Sequence, residues 1–237
     1  MISASLGYLR DSDDGIKTTA IGGVLLLLSP LLIPVFLVLG YLMRVLRRTT
    51  DGVDEPPVFD DWGDLLVDGV KAFVVTFVYS VVPLVALAVV GVFGVGAVLI
   101  GGGDSALAGI VGGTLVVALT LVAFAVSIAG VYVTPAALSN YAGTGRVSDG
   151  FALATIWTVI TKKAYAVGWL YAFAVILAGS LAIGVLSVVP VLGTIAGVFV
   201  QFYAVVAAYY IVGHTWADVR PVAAEQDGVG PVERPVV

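Results

Sequence analysis

Polar residues interrupt this chain at intervals matched to the thickness of a membrane. Residues 18–43, 72–103, 105–145 and 164–217 contain no Asp, Glu, Lys or Arg. A helix rises ~1.5 Å per residue and a bilayer's hydrocarbon core is ~30 Å thick, so each stretch is long enough to cross. The last can cross twice, because Pro190 and Gly193 break it near its middle. The pattern predicts an all-α, polytopic membrane bundle with about five transmembrane helices, over 20–43, 73–100, 107–133, 165–189 and 194–213.

Between the spans the periodicity changes. Over 59–71, Asp60, Asp64 and Asp68 recur every fourth position, while Trp62, Leu65, Leu66 and Val70 mark an apolar face. That is the pattern of an amphipathic helix lying in the membrane interface. A second such helix is predicted over 148–162, around Phe151, Ile156 and Trp157. Span, basic turn, amphipathic helix and span thus occur twice, with Pro34, Tyr41, Arg48, Trp62 and Lys71 matched by Pro135, Tyr141, Arg146, Trp157 and Lys162. The pattern predicts a short polar segment over 1–17, a single membrane domain over 18–213 and a flexible acidic tail over 214–237. Pro30 and Pro34 interrupt the first stretch. They predict a kinked full span, with a re-entrant pair of half-helices as the alternative.

Charge adds orientation. Arg44, Arg47, Arg48, Lys71, Arg146, Lys162, Lys163, Arg220 and Arg234 fall on one side of a five-span layout, leaving Arg10 and Lys17 on the other. The positive-inside rule then makes loops 44–71 and 134–163 and the C-terminus cytoplasmic. Trp62, Trp157, Trp169 and Trp216 are predicted to gather at the same interface. The net charge of −5 resides in loops and tails and argues against a nucleic-acid partner. Cysteine is absent, which excludes disulfides, thiolate catalysis and thiolate metal sites.

Few residues are candidates for chemistry. His214 is the one histidine and reads as an interface anchor. No catalytic, cofactor-binding or metal site is expected, and no cofactor. Asp60, Asp61, Asp64 and Asp68 form the one dense polar constellation, a candidate partner-binding face. Gln201 lies mid-span and is a candidate interhelical polar contact. No charged residue occupies a span, which argues against ion-coupled transport.

Residues 40–47 (Gly-Tyr-Leu-Met-Arg-Val-Leu-Arg), the run 55–65 from Glu55 to Leu65 and the group Asp68, Gly69, Val70 and Lys71 carry a resemblance. The chain resembles a group of haloarchaeal multi-pass membrane proteins classed as a domain of unknown function, number 4013. The resemblance implies a haloarchaeal cell membrane and assigns no activity or site residue. The expected role is a non-enzymatic scaffold, assembly factor or accessory subunit acting through its cytoplasmic interfacial helices. It would sit in the lipid bilayer and engage a protein partner or a second copy, with any small-molecule substrate unknown. The alternative is a channel or facilitator for small neutral or apolar solutes.

Overall fold

The computed structural model describes residues 1–101 and 106–220, with side chains for 1–96 and 109–220. The predicted turn around Asp104 and the tail beyond Arg220 lie outside the described residues. Helices are α1 (Ile2–Arg10), α2 (Gly15–Leu27), α3 (Ile33–Thr50), α4 (Trp62–Gly101), α5 (Ala106–Thr144), α6 (Leu153–Ile160), α7 (Lys163–Leu186) and α8 (Leu192–Val219). Short 3-10 turns cover Ser29–Leu31 and Val147–Phe151. The molecule is a helical membrane bundle. Four helices, α4, α5, α7 and α8, are long and apolar enough to span a bilayer, and α2 is a shorter apolar helix.

The first charge-free stretch is not one kinked helix. Its 13-residue first part, α2, is ~20 Å long and too short to cross alone. The 3-10 turn follows, Leu32 takes a positive φ of 65°, and α3 begins with Pro34 in its first turn. Proline is well placed at a helix start, where its fixed φ suits the helix and its missing N–H costs nothing. Pro30 and Pro34 therefore each open a new segment instead of bending an old one.

Contacts along α8 show that the chain turns back. Gly22 and Gly23 of α2 pack on Phe202 and Phe199 in turn, so α2 runs antiparallel to α8. Tyr41 of α3 meets Phe202 and Thr49 meets Gly213, so α3 runs parallel to α8. The two helices form a hairpin whose tip residues Leu31, Leu32 and Ile33 are exposed. Helix α3, 18 residues or ~27 Å long, sets the depth of this hairpin, and its register with α8 places the tip near the start of α8.

The predicted interfacial segment 59–71 and the span after it form one 40-residue helix, α4. No proline separates them, and Gly69 is needed where it stands: a Cβ there would lie 1.8 Å from the Phe36 carbonyl oxygen. At ~60 Å, α4 is about twice as long as the hydrocarbon core is thick, so one end projects from it. Likewise α5 continues through Pro135 to Thr144. The second predicted interfacial segment divides into a 3-10 turn and α6, which buries Ile156 and Val159 and exposes Leu153 and Trp157. The predicted tail begins late, since α8 runs on through His214 to Val219. Trp216 is buried in the core, whereas Trp62 and Trp157 are exposed.

Burial is uneven. Tyr41, Met43 and Leu46 of α3, Leu65 of α4, Leu138 and Tyr141 of α5, Tyr165 of α7 and Phe202 of α8 form the densest core, at the loop-bearing end. The most apolar windows of α4 and α5 are each only 6% buried, against 50% for α8. Helix α8 is thus the central post, packing on α1, α2, α3, α5 and α7. The apolar side chains of α4 and α5 are left for lipid.

A re-entrant hairpin fixes a sidedness that a spanning helix would reverse. The chain has no native cysteine, so single cysteines at exposed Ser3 and Glu55 report it directly. Both should react with an impermeant maleimide from the same side of sealed vesicles. Labelling from opposite sides would mean that 18–43 crosses the membrane.

Candidate functional site

The candidate site is built where α3 meets α4. A Cβ on Gly40 would lie 1.9 Å from the Leu65 carbonyl oxygen, and Gly69 is equally tight against Phe36. Each glycine lets the opposing backbone approach to a distance any larger residue would forbid. Aromatic packing continues from this crossing. Tyr41 stacks on Phe59 with ring centroids 4.3 Å apart, and Phe59 stacks on Trp62 at 5.8 Å.

Charge pairs close the same seam. Arg44 bonds the Asp60 carboxylate, and its Nη2 donates to the Asp61 carbonyl at 3.4 Å. Arg47 donates through Nη2 to Asp68 Oδ2 at 3.1 Å and through Nε to the Ala142 carbonyl at 3.2 Å. The Tyr141 hydroxyl donates to Asp68 Oδ1 at 3.3 Å. The four-acid face predicted from sequence is therefore divided. Asp60 and Asp68 serve the fold. Asp64 stays exposed in the first turn of α4, and exposed Asp61 precedes the helix with φ 43°. Asp61's carbonyl accepts the Leu65 N–H at 3.0 Å, which starts α4. The acids at the positive end of a helix also complement its dipole.

Loop 51–61 is then fastened to α1 and α8, a site the sequence reading missed. Asp54 Oδ1 lies 2.9 Å from His214 Nε2 and accepts the Tyr210 hydroxyl at 2.9 Å. His214 Nδ1 sits 3.1 Å from the Tyr210 carbonyl. Arg48 Nη1 donates to the carbonyls of Glu55 and Pro56 at 3.3 and 3.4 Å. The Tyr8 hydroxyl donates to the Glu55 carbonyl at 3.4 Å, and the Tyr8 ring lies 4.5 Å from that of Tyr210. Burial pushes the Tyr8 phenol well above its ordinary range, with Arg48 opposing. It stays a neutral hydroxyl at physiological pH. Asp54 and His214 are separated by 160 positions, and neither stands in a pattern that points to the other.

The second loop has a smaller tie of the same kind. Arg146 Nη2 lies 2.8 Å from Asp149 Oδ2, and the Arg146 hydrogen bond holds the Asp149 carboxyl below its usual value. Asn140 Nδ2 donates to the Asp149 carbonyl at 2.7 Å, and the Tyr79 hydroxyl to the Gly150 carbonyl at 2.9 Å. Gln201 is half-buried on α8 and makes no side-chain hydrogen bond among the described residues. No group of three His, Cys, Asp or Glu side chains suited to a metal occurs among the described residues.

The model of a family described as "Protein of unknown function (DUF4013)" matches residues 23–188. No curated protein and no solved structure matches the chain.

Magnitudes separate the two sets of contacts. Forcing a methyl group into a packed contact costs about 1–3 kcal/mol, whereas exposed ion pairs contribute about 0–1 kcal/mol. Gly40→Ala should therefore lower stability in detergent by at least about 1 kcal/mol. Gly63→Ala, with nothing within 4 Å of the new methyl, should be neutral. Equal unfolding midpoints for the two would contradict the close crossing. His214→Ala should leave the midpoint nearly unchanged but speed hydrogen exchange over 51–58 several-fold, and unchanged exchange there would refute the tether.

Proposed function

We propose that this chain, which belongs to the DUF4013 family of proteins of unknown function, is a non-enzymatic membrane scaffold or accessory subunit. It would present its loop-bearing end to a basic protein partner. One observation carries this reading: the loop-bearing end is the best-packed part of the molecule, yet its surface is acidic. Asp61 and Asp64 remain exposed at the start of α4. Asp11, Asp13, Asp14 and Glu55 line a cavity of about 320 Å³. A neighbouring cavity of about 470 Å³ adds Asp54 and shares Asp11 and Glu55. A surface held rigid from beneath loses little entropy when a partner docks, and its charge favours fast, selective association with a basic segment.

The distribution of basic residues supports a cytoplasmic location for this end, in the cell membrane. The acidic loops and the family resemblance support a haloarchaeal host. A facilitator for small apolar solutes is the second reading, and the re-entrant hairpin favours it. Its tip exposes Leu31, Leu32 and Ile33, a surface suited to lipid contact more than to a polar path, so the scaffold reading ranks first.

A basic partner should co-purify in mild detergent and dissociate as salt is raised. The triple variant Asp13→Asn, Asp61→Asn, Asp64→Asn should lose it while keeping the wild-type unfolding midpoint. Asp68→Asn should instead lower the midpoint, because Arg47 and Tyr141 lose their acceptor. A clean monomer across several mild detergents would overturn the proposal.

A further inference from the structure

A groove of about 600 Å³ runs between α1, α2, α7 and α8, inside the apolar part of the bundle. Its floor is made of small side chains, Ala174, Ala178 and Ala182 with Gly179 on α7 and Ala204 on α8. These residues recur at the spacing of one helix face, and their size creates the hollow. Ile2 and Leu6 of α1 flank one end. The polar groups at its edge are already engaged: the Tyr203 hydroxyl bonds the Leu6 carbonyl, and Thr19 Oγ1 donates to the Gly15 carbonyl at 2.8 Å. The groove therefore offers hydrocarbon contact and no free hydrogen-bonding group among these.

Its α1 end is different. A second cavity of about 400 Å³ adjoins it, shares Thr19, Phe199 and Tyr203, and adds Arg10 with Ile16 and Ala20. Arg10 is exposed and makes one ion pair, through Nε to Asp11 Oδ1 at 3.0 Å. That contact engages Nε alone, and the terminal guanidinium nitrogens are of the kind that bind the oxygens of a phosphate. Asp13 and Asp14 line a different cavity, with Asp11, Glu55 and Pro56. Apolar length and a cationic mouth thus occur in one continuous depression.

We infer that this groove binds one hydrocarbon chain of an anionic phospholipid, with its phosphate at Arg10. The small residues of α7 admit the chain, and α1 lies over it where the headgroup emerges. This would make α1 a lipid-contacting element on the re-entrant side, independent of any protein partner.

The test uses the full-length protein in detergent micelles doped with phosphatidylglycerol or with phosphatidylcholine of identical chains. Native mass spectrometry should show phosphatidylglycerol held about fivefold more tightly, the scale of one basic residue near a charged headgroup. Arg10→Gln should reduce that preference to parity without abolishing binding of either lipid. Ala178→Phe, which fills the groove, should abolish both. Because Ala178→Phe can disturb folding, a diazirine-bearing acyl chain should also crosslink wild-type protein within 174–182 and 199–204. Equal affinity for the two lipids, or crosslinks elsewhere, would overturn the inference. So would a detergent-stable dimer that Ala178→Phe dissociates, since a second copy would then occupy the groove.

Discussion

Helices in a bilayer are not driven together by exclusion of water, so their association rests on how closely their surfaces can approach. In this molecule that constraint is met by glycine. Gly40 and Gly69 bring α3 and α4 into backbone contact, Gly22 and Gly23 admit Phe202 and Phe199, and Gly168 and Gly213 admit Thr215 and Thr49. With α3 seated on α4, Arg44 and Arg47 come within reach of Asp60 and Asp68. Loop 51–61 is then short enough to be pinned between α1 and α8. The ion pairs and tethers follow from the crossing, and their modest individual energies could not have produced it.

The hairpin of α2 and α3 depends on the same contacts. A broken helix in hydrocarbon must have its freed carbonyls covered by protein or satisfied within the turn. Here the turn satisfies part of its own need, since Leu31 and Leu32 N–H groups bond the Leu28 and Ser29 carbonyls. Packing of both arms on α8 does the rest. Without Gly22 and Gly23, Phe199 and Phe202 would hold α2 away from the post, and a full crossing would be the easier solution for so apolar a segment.

Much of this was legible in the sequence, and the illegible parts share a cause. The absence of charge locates α4, α5, α7 and α8, because lipid imposes the same demand on every spanning residue. Pro30 and Pro34 were ambiguous, since proline signals a kink and a helix start alike, and only the glycine–phenylalanine contacts with α8 decide between them. Spacing within 59–71 identified the helical face of Asp60, Asp64 and Asp68. It could not tell that Arg44 and Arg47, from the preceding helix, would claim two of the three. The Asp54, Tyr210 and His214 cluster was invisible because residues far apart in sequence leave no shared periodicity.

The uneven distribution of packing has a functional consequence. A protein that moved solutes through its own centre would concentrate its contacts and polar groups around a path near mid-membrane, where carriers place their sites. This bundle concentrates them at the loop-bearing end and leaves α4 and α5 largely to lipid. Its residues 40–71, the stretch most specific to its family resemblance, are spent on the α3–α4 seam and on fixing loop 51–61. That stretch thus fixes the shape of one end of the bundle. Under the scaffold proposal, this is the surface a partner would read, through the acids that the seam leaves unclaimed, Asp61 and Asp64.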